Sequence, residues 1–376
     1  MIDFATLQGL TIPEGVVTQI ADASGRVLWK LQSGGKVILE VEKITSDTYA
    51  GETAYTGEQF ILLDIYPKTN GTVSVTYGGL TKTITDTSGA EEPNAQRVFF
   101  GTFNGVSDEV ETPASGELTI DGDCVAFACS QYATNSKGIA DRALCVTSIT
   151  SLGGIIEIPD FAFSNVLTGC KIKSVSIPSK VKSIGECAFS YCTELATLTI
   201  NNGLESIGRQ AFTACKGLTS LIIPKSVTSI SEAAFSECSN LTNLVVDDGN
   251  TCYTSDNGCL FSKDGTTLLF CGAVSGHYTV QGSVTRIGDC AFTSNDKVTS
   301  VTIPSSVTII GDTVFHSCVS LESVTILATT PPALGEEETN VFYNTTCSII
   351  VPAGCGEAYK AATNWQEYAD RIVEAS

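Results

Sequence analysis

Residues 172–195 read IKSVSIPSKVKSIGECAFSYCTEL, residues 196–218 ATLTINNGLESIGRQAFTACKGL and residues 219–241 TSLIIPKSVTSISEAAFSECSNL: one phrase, three times, at a period of 23. Two further copies stand at 284–298 (VTRIGDCAFTSNDKV) and 299–321 (TSVTIPSSVTIIGDTVFHSCVSL). A fixed period of this length is the signature of a solenoid, in which each repeat buries its apolar side only against its neighbours.

Aligning the copies puts the apolar residues in columns. One is Ile184, Ile207, Ile230, Ile287 and Ile310, and a second is Phe189, Phe212, Phe235, Phe292 and Phe315. Leu195, Leu218, Leu241, Val298 and Leu321 form a third. The strand segment supplies two more, Leu198, Leu221, Leu244, Val301, Val324 and Ile200, Ile223, Val246, Ile303, Ile326. Leu198-Thr-Ile200 alternates apolar and polar, the pattern of a half-buried strand. Stacking one such strand per repeat predicts a parallel sheet with strands about 4.8 Å apart. Pro178, Pro224 and Pro304 follow these strands, where a missing N–H does not break the ladder interior. The second half of each repeat reads as a short second strand followed by a helical or 3₁₀ turn that carries the Phe. Gly185, Gly208, Gly288 and Gly311 separate the strand from the turn, which predicts a backbone that needs glycine's freedom; Ser231 departs from it.

These columns resemble the BspA-like (Treponema pallidum type) leucine-rich repeats, whose pattern runs LxxIxIPxxVxxIGxxAFxxCxx. The phase, the length, the Ile-Pro pair, the Ala-Phe pair and the Cys recur together over about residues 150–350. The resemblance implies a surface-exposed or secreted bacterial protein for adhesion or protein binding. Asn201-Asn202-Gly203 replaces the Ile-Pro turn in the second copy, and Asn295 replaces Cys in the fourth. Residues 247–283 read as an insertion with a hairpin at its core, Cys259–Ser262 and Thr266–Phe270 around Lys263-Asp264-Gly265. The tail SIIVPAGCGEAYKAATNWQEYADRI also resembles the closing segment of such proteins.

The chain has 376 residues, with 41 Asp+Glu against 21 Lys+Arg and a net charge of −20. A surface of that sign repels phosphates, so neither nucleic acid nor an anionic membrane is an expected partner. No apolar run of about 18 residues exists to span a membrane. The N-terminus lacks the basic and apolar regions of a signal peptide. The expected location is extracellular or at the cell surface.

The expected fold class is mainly β: a leucine-rich repeat solenoid preceded by a small immunoglobulin-like β-sandwich. Residues 1–35 hold a hairpin, Val16–Ile20 with Arg26–Lys30, and the linker Gln32-Ser33-Gly34-Gly35. Residues 36–130 hold short strands at regular spacing: Val37–Glu42, Gln59–Tyr66, Thr72–Tyr77, Leu80–Thr85, Arg97–Phe103 and Gly116–Ile120. Residues 131–353 form the solenoid, starting with a cap that contains a strand at Ile155–Ile158. Residues 354–376 read as a helical cap: Gly356–Ala362 is helical, and Asn364 with Glu367 fits a capping box that puts Trp365, Tyr368 and Ile372 on one helix face.

The chemistry of catalysis is missing from the sequence. His277 and His316 are the only histidines, and neither lies in a zinc or triad motif. The 15 cysteines include no C-x-x-C pair; Cys192, Cys215, Cys238 and Cys318 share a repeat column and read as small buried thiols. Asp247, Asp248, Asp256, Asn257 and Asp264 read as solvated turns, and Glu336-Glu337-Glu338 as a solvated charge run. No enzyme activity, metal or cofactor is expected. The expected function is binding of a protein or glycan on a host or bacterial surface. The candidate face is the exposed side of the strands: Thr197, Thr199, Ser220, Ile222, Asn243, Val245, Ser300, Thr302, Ser323 and Thr325. Threonine also favours strands by itself, so these residue types alone do not prove a binding face. A second reading rests on the opening GVVTQIADASGRVLWK, which resembles the first hairpin of tail-associated phage proteins and implies a virion component.

Overall fold

The computed structural model describes residues 172–335 and 340–376 continuously, and the strands and short pieces of the earlier part that are named below. Each repeat contributes a longer strand, of four residues in most copies, and a shorter one, of two in most, and these stack into two rows. The long row begins with Ser174–Ile177 and Thr197–Ile200, parallel, with Val175 beside Leu198 and Ile177 beside Ile200. Ser220–Ile223 pairs with Asn243–Val246 in the same register. The row resumes with Gly276–Thr279, Val298–Ile303, Ser323–Ile326, Ser348–Val351 and Ile372–Glu374, each parallel to the next. The short row runs Glu157–Ile158, Ser183–Ile184, Ser206–Ile207 and Ser229–Ile230. It resumes with Thr267–Phe270, Arg286–Ile287, Ile309–Ile310 and Ala333–Leu334.

The sequence columns are the core. Every residue in the Ile184, Phe189, Leu195, Leu198 and Ile200 columns is 8 % exposed or less. The phenylalanines stack along the axis: Phe163, Phe189, Phe212 and Phe235 at centroid distances of 5.0, 5.4 and 5.7 Å, then Phe292, Phe315 and Phe342 at 5.2 and 5.4 Å. Burying one such ring contributes about 1.5–3 kcal/mol. The buried thiols do more than fill space. Cys215 Sγ donates to Phe189 O at 3.3 Å, Cys238 to Phe212 O at 3.1 Å and Cys318 to Phe292 O at 3.0 Å, so each ties a turn to the one before it. Burial pushes the Cys318 thiol up to about 12.

The repeat glycines need no positive φ, in keeping with Ser231 at the same position. None of Gly185, Gly208, Gly288 or Gly311 has a positive φ. At Gly208 and Gly311 successive turns touch: a Cβ on Gly208 would lie 2.6 Å from Gly185 C, and one on Gly311 2.7 Å from Asp289 N, while at Gly288 the nearest atom is 3.2 Å away. The left-handed residues are instead those two before and two after each Phe, such as Cys187 (φ 52°) and Tyr191 (φ 61°) around Phe189. Gly203 is different, with a φ of 144° and a Cβ position 2.0 Å from Ser179 O; it lets Asn201-Asn202-Gly203 stand in for the Ile-Pro turn.

The segment 247–283 is not wholly an insertion. Tyr253–Asp256 and Cys259–Ser262 form an antiparallel hairpin, and Cys259–Ser262 pairs antiparallel with Thr267–Phe270 as the sequence predicts. Thr267–Phe270 also pairs in parallel with Arg286–Ile287, placing Leu268 in the Ile184 column. Gly276–Thr279 pairs with Val298–Ile303, placing Tyr278 beside Val301. Residues 267–283 therefore form a degenerate repeat, and the added element is 253–262. Cys259 and Cys271 are joined in a disulfide, where the hairpin brings the two residues together.

The C-terminal cap also departs from the helical expectation. A helix spans Gly356–Ala361, but Gln366–Arg371 is a 3₁₀ helix and Ile372–Glu374 is a strand. Asn364 is no N-cap: it adopts φ 66° and donates to Gly335 O at 3.1 Å. The open edge of Ser348–Val351 offers backbone hydrogen bonds that a continued helix would forgo. Trp365 is buried, and its indole N–H donates to Pro332 O at 2.8 Å. Glu374 accepts from Gly356 N and Gly354 N at 2.7 and 2.9 Å, which holds its carboxyl below the usual range.

In the N-terminal part, Ile20–Ala21 pairs with Val27–Leu28, a shorter hairpin than the sequence suggests, and its turn lies outside the described residues. Strands Val37–Glu42, Thr72–Tyr77, Leu80–Thr85 and Ser115–Gly122 join in one antiparallel sheet. Gln59–Pro67, Gln96–Phe103 and Cys124–Ala128 join in another. Val73, Val75 and Tyr77 are buried on one side of their strand, as the period-two alternation requires. Val37–Glu42 also pairs antiparallel with Val146–Leu152, which pairs in parallel with Ser174–Ile177, so one sheet runs from Leu80 to Ile200. The linker Gln32–Gly35, residues 153–156 and Glu336–Glu338 lie outside the described residues.

Candidate binding face

The exposed side of the long row is fixed by strand alternation. Leu198 and Ile200 point inward, so Thr197 and Thr199 point out. The same pattern places Ser220, Ile222, Asn243 and Val245 outward on the next two strands. Ladder register puts Ser220 beside Asn243 and Ile222 beside Val245. Ile222 is 63 % exposed and Val245 42 %, an adjacent apolar pair on the surface.

The four remaining sequence candidates share the face but are half-buried: Ser300, Thr302, Ser323 and Thr325. Ser300 lies beside Ser323 and Thr302 beside Thr325. The His277 ring contacts Ser300 Oγ at 2.8 Å through Nδ1 and Thr279 Oγ1 at 3.1 Å through Nε2. His277 and Thr279 belong to the face by register, and they were missed because 247–283 was read as one insertion. The signal was present in His277-Tyr-Thr279-Val280, an alternating strand followed by Val284-Thr-Arg-Ile287-Gly288. Ser174, Ser176, Ser348 and Ile350 extend the same two columns at the ends.

None of these positions carries a formal charge, although the chain carries −20. Charges sit at the turns instead, as in the exposed Lys182–Glu205 pair at 2.9 Å. The face offers hydroxyls, one amide, one imidazole and apolar surface. That set supports van der Waals contact and neutral hydrogen bonding. Away from it, on the turn side, Tyr343 is exposed and stacks on His316 at 5.1 Å.

The sequence pattern of BspA type leucine rich repeat regions matches residues 156–276 and 267–357 in six copies, together more than half of the chain. Among curated proteins none matches. Among solved structures, the pneumococcal vaccine antigen PcpA is 17 % identical with a TM-score of 0.40, covering 58 % of this chain and 69 % of that one. A leucine rich cell surface protein from Faecalibacterium prausnitzii is 20 % identical with a TM-score of 0.30, covering 61 % of this chain and 90 % of its own. The leucine-rich repeat protein of T. pallidum is 24 % identical with a TM-score of 0.27, covering 58 % and 76 %. Among the described residues no helix is long and apolar enough to cross a membrane. With its repeat columns stacked as a solenoid and the repeat pattern matched over most of that length, the chain belongs to the BspA-type leucine-rich repeat proteins.

Proposed function

We propose that this chain is a non-enzymatic bacterial surface or secreted protein that binds another protein through the outward side of its long strands. Membership of a repeat family suited to protein binding supports the general role. One observation carries the choice of face: Ile222 and Val245 sit side by side, exposed, within an uncharged surface on an acidic chain. A contiguous exposed apolar patch rimmed by polar residues is a mark of an interaction site, and this adjacent pair is the start of one. Thr197, Thr199, Ser220 and Asn243 form the neutral rim, and Ser300, Thr302, Ser323 and Thr325 continue it.

The test is the Ile222→Lys and Val245→Lys double variant, set beside wild type in binding to extracellular-matrix proteins, intact bacterial cells and a glycan array. Both side chains are exposed, so the fold tolerates the change. Placing two desolvated lysines in an interface weakens any ligand seated there by about a hundredfold. Unchanged binding to every bound probe would remove this face from consideration. Binding only to glycans would replace the protein partner with a carbohydrate.

A further inference from the structure

The solenoid has a seam between residues 246 and 253. The long row is also broken between Thr197–Ile200 and Ser220–Ile223, but the short row runs through there; at the seam both rows stop, at Ser229–Ile230 and Asn243–Val246, and both resume only beyond the hairpin. Among the described residues no strand ladder crosses this point. The apolar core divides one layer further on, through the hairpin. Leu260 and Phe270 on one of its faces close the cluster of the first repeats and pack across the seam, whereas Cys259, Phe261 and Leu268 on the other face open the cluster that runs to Ile372. The Phe stack turns edge-on at the same place, with Phe235 and Phe270 inclined by 64°.

Side chains do the fastening. Tyr253 Oη accepts from Ile230 N at 2.7 Å and Ser255 Oγ accepts from Val246 N at 2.9 Å, each satisfying an amide at an open ladder edge. Two bridges reach further. Arg286 donates to Glu232 at 2.9 and 3.1 Å, and Lys297 donates to Ser239 O at 2.9 Å and Asn240 Oδ1 at 2.8 Å. They can do so because the degenerate repeat has a short turn: Leu268 to Tyr278 spans ten positions where Ile184 to Leu198 spans fourteen. The turns on either side then face each other across a notch.

We propose that the seam is a joint: residues 172–246 form one cooperative block, residues 253–351 the other, and the Tyr253, Ser255, Arg286 and Lys297 contacts set how often it opens. The Cys259–Cys271 disulfide lies wholly within the second block and keeps the hairpin layer intact while the joint moves. Opening changes the alignment of the Thr197–Val245 half of the outer face with the His277–Thr325 half. Proteins commonly open in such sub-global units, at boundaries where few backbone bonds cross.

Native-state hydrogen exchange on the full chain tests this, with wild type beside the Arg286→Gln, Lys297→Gln double variant. The seam amides of Ile230 and Val246 are expected to lose protection by about tenfold, while ladder amides such as those of Ile207 and Val301 keep theirs. Tyr253→Phe removes a single oxygen and leaves the bridges in place; it is expected to expose the Ile230 amide alone. An equal loss of protection across both blocks, or no change at Ile230 and Val246 in either variant, would overturn the joint.

Discussion

Residues 172–246 and 276–351 carry the same five apolar columns, yet they are finished differently. In the first block the outer strand face is open, with Ile222 and Val245 exposed. In the second Ser300, Thr302, Ser323 and Thr325 are half-buried, while His277 and Thr279 stay exposed and His277 lies against Ser300. The first block ties its turns together with Cys192, Cys215 and Cys238. The second keeps the thiol at Cys318 but opens with Asn295 at that position, fully buried, donating to Val274 O at 2.9 Å and accepting from the amides of Lys297 and Val298. A thiol makes one weak hydrogen bond to the preceding turn, whereas an amide makes several, and the shortened turn before Asn295 requires several. The columns thus specify the stack, and the departures from them mark where the stack changes.

The largest effect expected comes from emptying one Phe position in each block. Phe212→Ala and Phe315→Ala both delete a ring that is fully buried between two others, and each should cost about 4 kcal/mol. If the blocks are separate units, Phe212→Ala lowers amide protection mainly in 172–246 and Phe315→Ala mainly in 276–351. Identical protection maps for the two variants would show that the blocks differ in decoration only.

A smaller effect involves the acid pair at the notch. Burial, together with the adjacent Glu232, raises Asp289 from its ordinary value to about 6. Burial also pushes Glu232 upward, but hydrogen bonds from Asp289 and Arg286 outweigh it and the net shift is downward. Arg286, Asp312 and the backbone amide of Asp312, at 3.0 Å, complete the charged and polar surroundings. A raised pKa means that the folded state favours the protonated acid. Its contribution is therefore whole below pH 3.8 and is lost as the pH rises through about 6. Glu232, with a lowered pKa, loses its contribution only as pH falls through that value, so it does not mask the effect near pH 6. Asp289→Asn keeps the shape and removes the titration. Discounted for the third of the side chain that is exposed, the gain at pH 7.5 should be about 1 kcal/mol, vanishing near pH 4. Urea denaturation of both proteins at the two pH values measures it; parallel pH profiles would mean that the pair carries no strain.

Much of this architecture was legible in the sequence because a repeat tests itself. Ile184, Phe189 and Leu198 recur at one spacing, so chance agreement is small and the strands follow from alternation. The degenerate repeat at 267–283 was missed because its markers are substituted: Tyr278 stands in the Leu198 column and the turn is short. The sequence leaves disulfide pairing open because Cys259 and Cys271 lie outside the repeat columns, and only the hairpin brings them together. The 3₁₀ turn and final strand of the cap were missed because Asn364 and Glu367 match a local capping pattern, whereas the open edge of Ser348–Val351 is a distant feature. Alternation alone sets which strand residues point outward, whereas the exposure of each depends on what each neighbouring strand carries.

The smallest effect concerns the left-handed turn residues, which both blocks share. Glu237 (φ 59°) and Ser294 (φ 57°) occupy the same place, two after the Phe, and both are half-buried with no glycine. A non-glycine residue there gives up about 1–2 kcal/mol relative to a right-handed conformation, and glycine avoids that cost but loses more backbone entropy on folding. The two terms leave a net gain of about 0.5 kcal/mol for Glu237→Gly or Ser294→Gly, a rise in Tm of about 1–2 °C. Ser236 adjoins the same turn, is buried and lacks a positive φ, so Ser236→Gly should lower Tm instead. Because the geometry repeats, the gain should be equal in both blocks. A rise in one block and a fall in the other would mean that the turn carries strain only where the stack is regular, and the difference between the halves would then extend to their backbone.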